Sequence, residues 1–224
     1  MQGQLNSSLS VANLWNANYA LMIRALRLLV VCTLLIAGWP IILRADSLEQ
    51  LPHAQDSSAI LLVASQHMAD PRFRKTVLLV TRHGKTGPIG VIVNRPESVT
   101  LDKMFPDYPV AKELRLFNGG PVYPAQVSYL VRGGDTVERA LVISSNIYLS
   151  YDLPNLGDLL SGKRRYKDLR VLHGMASWAP GQLEYEIKLG DWYALPVDEA
   201  VIFEQPPAEM WQELHRRANH YQEI

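Results

Sequence analysis

Short apolar runs follow one another from Ala59 towards the C-terminus, and each is only four to seven residues long. Gly, Pro, Asn and Asp, the residues that favour turns, separate these runs. Runs of this length are typical of β-strands and are shorter than most helices. The spacing therefore predicts a mixed α and β domain that is built on short strands.

Eight of these runs are predicted strands. They begin at Ala59 (AILLVA), Thr76 (TVLLVT), Ile89 (IGVIVN), Val127 (VSYLVR), Ala140 (ALVIS), Leu169 (LRVL), Leu183 (LEYEIKL) and Ala200 (AVIF). In LEYEIKL, apolar and polar residues alternate, which predicts a strand with one buried and one wet face. Gln182 and Glu184 would then point to the same side of that strand.

Three helices are predicted among the strands. A short one begins near Leu101 after a Thr100 cap, and a second spans residues 153–160. The third opens at Pro206 and Pro207, which are favoured at a helix start. Its apolar residues form one stripe that should dock on the sheet, namely Met210, Trp211, Leu214, Ala218 and Tyr221.

Composition sets limits on function. The chain has 224 residues, of which 48% are hydrophobic, enough for one globular domain over residues 59–224. It has 22 basic and 22 acidic residues, and this zero net charge argues against binding to nucleic acid. Cys32 is the only cysteine, so neither an intrachain disulfide nor a cysteine-based zinc site can form. No metal and no cofactor is predicted.

The N-terminal part of the chain resembles an export signal. Arg24 and Arg27 precede an apolar run from Leu28 to Leu43, which is short for a membrane span but suits a signal peptide. Cleavage is predicted near Ala45. The alternative is a retained membrane anchor, because a short span can be accommodated by tilt and snorkelling. Membrane contact is expected only through this segment.

The same pattern divides the N-terminus into three parts. Met22 stands where a signal peptide would start, so residues 1–21 are predicted to be an over-extended start. Residues 22–45 are the signal peptide or anchor. Residues 46–58 are polar and are predicted to be a linker to the domain.

One motif suggests phosphate chemistry. Arg82, His83 and Gly84 follow an apolar run and resemble the start of the histidine phosphatases, in which such a histidine accepts phosphate. His173, before Gly174, stands at the end of another run and could serve as the second histidine. The alternative is that His83 occupies an ordinary turn at the end of a strand.

A second set of motifs covers nearly all of residues 60–221. It comprises Asp70, Pro71, Phe73, His83, Gly90, Asn94, Arg95 and Pro96, then Gly-Gly-Pro-Val from Gly119, then Gly174, Trp178, Gly181, Gln182, Leu183 and Glu184, and finally Gly-Asp-Trp from Gly190. In their order and spacing these motifs resemble the YqgE/AlgH family. The resemblance implies an α+β fold, a single domain with a bent or barrel-like mixed sheet surrounded by helices. It implies no established enzymatic activity.

Some members of that family are labelled transcriptional regulators, but this sequence has no recognition helix beside a basic face. Members generally look cytoplasmic, so the apolar leader is a departure from the family. The departure weakens any transfer of an intracellular regulatory role to this chain.

The family's most specific motif has a physical interpretation. Gly181 is predicted to adopt a positive φ before the following element, and Trp178 to cover the turn with its ring. Gly119 and Gly120 could present backbone amides to an anion, or could simply turn the chain.

Polar residues of these motifs are candidates for a single cleft. Gln182 and Glu184 would meet Asn94 and Arg95 there, and the guanidinium would favour an anionic ligand. The alternative for the last two is structural, with Asn94 holding a turn and Arg95 pairing with a carboxylate.

Two functions are therefore compatible with the sequence. The first is a non-enzymatic binding or regulatory domain, exported or membrane-anchored, with an unknown protein or a small anionic ligand as partner. The second is a histidine-dependent phosphohydrolase that uses Arg82, His83 and Gly84. Activity on an aryl phosphate, compared between wild type and His83→Ala, separates the two.

Export is the first testable expectation. When the chain is expressed in a Gram-negative host, the protein should leave the cytosol and mostly begin near Asp46, because the run before Ala45 has the features of a cleaved signal. Fractionation and N-terminal sequencing measure this. A full-length, freely soluble cytosolic product would contradict the expectation.

Overall fold

A computed structural model of the chain describes residues 59–82 and 87–222. The predicted leader and linker, residues 1–58, lie outside the described residues, as do His83, Gly84 and the side chains of Arg82 and Tyr221. None of the helices within the described ranges has the length and apolar character that a membrane span needs.

The strands described here join into one sheet. They are β1 (Ile60–Ala64), β2 (Val77–Arg82), β3 (Pro88–Ile92), β4 (Pro96–Thr100), β5 (Arg115–Asn118), β6 (Val122–Arg132), β7 (Ala140–Val142), β8 (Ile147–Ser150), β9 (Asp168–Ser177) and β10 (Trp192–Leu195). The main order is β10-β1-β2-β3-β9-β6-β8-β7, and β4 and β5 join it through a parallel pairing of β5 with β9. All the other pairings are antiparallel.

Helices connect and cover the strands. They are α1 (Leu153–Leu160), α2 (Gln182–Lys188), α3 (Glu199–Phe203) and α4 (Pro207–Gln222), with 3-10 turns at Leu101–Lys103 and Pro109–Lys112. Asp152 caps α1 by accepting from the Asn155 amide, and Asp198 caps α3 by accepting from the Val201 amide. These side chains satisfy amides that have no partner within the first helical turn.

The apolar runs of β1, β2 and β3 are buried on both faces. In β1, Leu61 and Val63 belong to a core cluster that includes residues of α3 and α4, while Leu62 and Ala64 belong to a second cluster that includes Leu183 of α2. Because neighbouring residues of a strand point to opposite faces, a strand between two layers is apolar throughout. This explains why these runs do not alternate.

The predicted fold class is confirmed. The sheet is curled into a half-barrel that carries a few helices, and it forms a single α+β domain. The terminal helix is also confirmed. Met210, Leu214 and Ala218 are buried in the core, and the indole Nε1 of Trp211 donates to the Ala64 carbonyl at 2.8 Å. That bond fixes α4 to β1.

The strand predicted for LEYEIKL is wrong, because Gln182–Lys188 is helix α2. The four pairings from β9 through β3, β2 and β1 to β10 are all antiparallel, so β9 and β10 run in the same direction. Parallel strands need a crossover, which is usually helical. Leu183 is buried and Ile187 half-buried, one helical turn apart, whereas Tyr185 and Leu189 are exposed.

Two smaller predictions also fail. The run AVIF is helix α3 instead of a strand, since the Asp198 cap starts a helix whose Val201 and Ile202 are buried. The helix near Leu101 is a three-residue 3-10 turn, and Thr100 makes no side-chain cap there because its hydroxyl bonds to Asp102. Short apolar runs do not distinguish a helix from a strand by periodicity alone.

Candidate functional site

A cavity of about 300 Å³ opens beside α2 and the end of β9, and we call it the signature pocket. Aromatic rings of Phe73, Trp178 and Trp192 line it. Its polar lining comprises Asp70, Arg72, Ser177, Gln182, Glu186 and Asp191. Four parts of the chain meet here: the β1–β2 connection, the start of β6, the end of β9 with α2, and the start of β10.

Glu186 joins the two ends of the α2 crossover. Its Oε2 accepts hydrogen bonds from the indole Nε1 of Trp178 and from that of Trp192, each at 2.9 Å. Its Oε1 accepts from Nε2 of Gln182 at 2.8 Å. Trp178 follows β9 and Trp192 begins β10. One carboxylate therefore ties α2 to both strands and satisfies two indoles that are at least 95% buried.

Aromatic stacking extends from the same two indoles. The rings of Trp178 and Trp192 meet edge-on with centroids 6.2 Å apart, and Phe73 meets Trp192 edge-on at 5.6 Å. These are favoured geometries for aromatic pairs. The pocket wall is consequently formed by packed rings whose positions are fixed before any ligand binds.

Asn94 holds the turn before β2, as its structural alternative predicts. Its Oδ1 accepts from the Val77 amide at 2.8 Å, and its Nδ2 donates to the Lys75 carbonyl at 3.0 Å. Asn94 is buried. Both polar ends of its amide group are therefore used within the fold.

Arg95 fixes the loop that carries Asp70, Arg72 and Phe73. Its guanidinium donates to the carbonyls of Arg72 and Arg74, the latter at 3.1 Å. The predicted pairing of Arg95 with a carboxylate is therefore wrong, since backbone carbonyls are its partners. Partial burial lowers the pKa of Arg95.

Asp70 and Arg72 form a clamp at the rim of the signature pocket. Nε and Nη2 of Arg72 donate to the Asp70 carboxylate at 2.7 to 3.1 Å, and the Arg72 amide donates to it at 2.9 Å. The side-chain hydrogen bonds from Arg72 are the largest cause of the lowered pKa of Asp70. Arg72 is exposed and Asp70 partly exposed.

Gly119 and Gly120 do not form an anion site. The Gly119 amide donates to the His173 carbonyl at 2.7 Å, and the Gly120 amide donates to Oδ1 of Asn118 at 3.1 Å. A Cβ on Gly120 would stand 2.4 Å from the Met175 carbonyl. The two glycines therefore allow the chain to cross closely over β9.

The structure does not bring the predicted polar cluster into one cleft. Gln182 and Trp178 line the signature pocket, while Asn94 and Arg95 support its loop from behind and Gly119 and Gly120 pack on β9. Glu184 is exposed on α2, and its side chain has no hydrogen-bond partner among the described residues. Sequence reasoning missed Glu186, whose i,i+4 spacing from Gln182 was the available signal.

The histidine phosphohydrolase gains no support from the described residues. His83 lies outside them. His173 has its Nδ1 3.1 Å from the Pro124 carbonyl and its Nε2 3.2 Å from Oε1 of Glu97, so both ring nitrogens have partners within the fold. Over the described ranges, no group of three or more His, Cys, Asp or Glu side chains could hold a metal ion.

The profile of the AlgH-like family, DUF179, matches residues 61–221. The chain belongs to the YqgE/AlgH family. Among curated proteins, a UPF0301 protein of Methylococcus capsulatus is 37% identical over 157 residues, covering 67% of this chain and 83% of the relative. A UPF0301 protein of Psychrobacter is 34% identical over 159 residues, covering 67% and 84%.

Two solved structures share the fold. The AlgH protein of Pseudomonas aeruginosa is 28% identical, with a TM-score of 0.61 over 71% of this chain and 87% of that one. A Corynebacterium diphtheriae protein is 24% identical, with a TM-score of 0.61 over 72% and 86%, and its likeness concerns the fold alone. Two residues of this chain's family motif, Trp178 and Gln182, line the signature pocket.

Gly181 provides a direct test of that motif. It has φ +80° at the start of α2, which confirms the predicted positive φ, and a Cβ built on it would meet no atom within 4 Å. Any loss on substitution therefore comes from backbone strain. Gly181→Val should lower the free energy of unfolding by about 1 to 3 kcal/mol.

Denaturant unfolding measures this loss, and Gly181→Asn is the matched control because Asn tolerates the left-handed region better than a β-branched residue does. The control should lose clearly less stability than the valine variant. An unchanged stability in Gly181→Val, or equal losses in the two variants, would contradict the assignment.

Proposed function

We propose that this YqgE/AlgH-family chain is a non-enzymatic binding domain that receives a basic side chain of a protein partner in the signature pocket. One observation carries the proposal. The pocket combines a preformed aromatic wall with three carboxylates, from Asp70, Glu186 and Asp191, against the single guanidinium of Arg72. A cation gains from both features, by ion pairing and by contact with the aromatic rings.

The three carboxylates of the pocket differ in how many hydrogen-bond partners they have. Arg72 pairs with Asp70, and Glu186 accepts three hydrogen bonds from neighbouring side chains. The Asp191 carboxylate has no hydrogen-bond partner among the described side chains, although its backbone is fixed by Glu186 and Ser65. Asp191 is therefore the group that an incoming cation would pair with.

The rim of the pocket supports a protein as the partner. Tyr185 of α2 and Leu189, which directly follows the helix, stand about one turn after Gln182 and Glu186, and the two residues are 62% and 60% exposed. Exposed tyrosines beside a pocket are frequent anchors of protein interfaces. A partner that places a cation in the pocket could bury both side chains at its edge.

The polar groups of the pocket favour binding without turnover. Among the described residues that line it, Ser177 is the only hydroxyl or thiol nucleophile, and no histidine stands beside it to act as a base. Glu186 serves the packing of two tryptophans. An anionic ligand, the other partner expected from the sequence, does not suit a pocket with this charge balance.

The apolar run before Ala45 supports a domain that works outside the cytoplasm or at its membrane. A basic segment of another envelope protein is then the expected class of partner.

A pair of peptides tests the proposal. Ac-Gly-Arg-Gly-amide should change the tryptophan fluorescence of the full chain saturably, while the citrulline peptide, a neutral analogue of nearly the same shape, should bind at least about fivefold more weakly. Asp191→Asn should reduce this preference. The matched control is Asp107→Asn, because Asp107 is exposed and does not line the pocket. This variant should keep the preference for the arginine peptide.

The outcomes are distinct. Equal binding of the arginine and citrulline peptides, or no saturable binding of either, would show that the pocket does not select a cation. A preference that survives Asp191→Asn but is lost in Asp107→Asn would place the site elsewhere.

A further inference from the structure

A second cavity, of about 380 Å³, lies where α3 and α4 meet β5 and β9, and we call it the Arg170 pocket. Its walls are mainly apolar and include Phe117, Phe203 and three prolines. The complete lining is Pro96, Arg115, Phe117, Arg170, Phe203, Glu204, Gln205, Pro206 and Pro207. None of these residues lines the signature pocket.

Arg170 is a buried cation at this pocket. Arg170 is 8% exposed. Its Nη1 donates to the Val93 carbonyl at 2.5 Å, and its guanidinium lies 4.4 Å from the centroid of the Phe117 ring. A second ring, that of Phe203, is 5.8 Å away. Burial lowers the pKa of Arg170 to about 10, and it still carries its charge at neutral pH.

The neighbouring carboxylates are bound to another arginine. Asp168 and Glu204 both pair with Arg132, at 2.6 and 2.8 Å. The guanidinium of Arg132 also lies 5.0 Å from the centroid of the Phe203 ring, so Arg132 and Arg170 share this ring. Within the described ranges, neither Arg170 nor Arg115 has a carboxylate at ion-pair distance.

A buried guanidinium without a carboxylate is costly, and most buried charges are paired. Here one carbonyl and two rings are its partners, and the remaining donors border a cavity with apolar walls. We propose that the Arg170 pocket binds a small apolar monocarboxylic acid, with the carboxylate on Arg170 and Arg115 and the apolar body against Phe117, Phe203 and the prolines.

The geometry of the pocket matches that class of ligand. A guanidinium presents a planar pair of donors that fits a carboxylate. Pro207, the first residue of the 16-residue helix α4, lines the same cavity, so the partial positive charge of the helix start adds to the field. Glu204, the one acid in the lining, pairs with Arg132 at 2.8 Å and lies 4.0 Å from Nζ of Lys167.

Calorimetry on the full chain tests the proposal with benzoate and with benzamide, its uncharged analogue of similar shape. Benzoate should bind saturably and benzamide at least about tenfold more weakly, because charge-assisted hydrogen bonds are lost. Arg170→Met keeps most of the apolar stem and should abolish the preference. Arg115→Gln changes an exposed residue and should weaken benzoate by about threefold or more.

Arg165→Gln is the matched control, since Arg165 is an exposed arginine outside the cavity, and benzoate binding should be unchanged. If Arg170→Met fails to fold, the wild-type comparison and Arg115→Gln decide the question. Equal binding of benzoate and benzamide, absence of saturable benzoate binding, or undiminished binding in a folded Arg170→Met variant would overturn the proposal. These outcomes do not depend on the signature pocket.

Discussion

One oxygen of the Glu186 carboxylate accepts hydrogen bonds from two buried indoles, and the organisation of the signature pocket depends on this arrangement. Trp178 and Trp192 stand at the two ends of the crossover from β9 to β10. These strands run in the same direction and have three other strands between them. Without an acceptor at that point, both indole N–H groups would be buried and unsatisfied, at a cost of about 1 to 3 kcal/mol each. Helix α2 brings Glu186 to both rings and buries Leu183.

The β1–β2 connection, which also lines the pocket, is held by different contacts. Arginine side chains donate to backbone carbonyls of the β1–β2 connection, Arg74 to those of Met68 and Ala69, and Arg95 to those of Arg72 and Arg74. Such bonds fix the course of a loop without regular secondary structure, since its carbonyls would otherwise lack partners. The functional group on that loop is the clamp of Asp70 and Arg72. A rigid wall and a supported loop thus enclose a preformed cavity.

The sequence predicts the parts of this fold whose signals are local. Strands with continuous apolar runs, the helix over residues 153–160, the amphipathic α4 and the positive φ of Gly181 all follow from residue type and spacing. Helix α2 does not, because seven residues that alternate by chance fit a strand as well as a helix, and only the sheet order requires a crossover there. Glu184 is a candidate because the family motif contains it, whereas a strand would place Glu186 on the same side, and only the helical spacing identifies Glu186 as the partner of Gln182. The partners of Arg95 and the unpaired charge of Arg170 depend on contacts between segments far apart in the sequence.

A double-mutant cycle on Glu186 and Trp192 tests most directly whether one carboxylate organises the pocket. Unfolding free energies are measured for wild type, Glu186→Leu, Trp192→Phe and the double variant, with Glu184→Leu as the control on the exposed side of α2. Glu186→Leu should lose about 2 to 4 kcal/mol and the control less than about 0.5 kcal/mol. The loss from Trp192→Phe should be smaller by about 1 kcal/mol or more once Glu186 is absent. Additive losses, or equal losses at Glu184 and Glu186, would contradict this account.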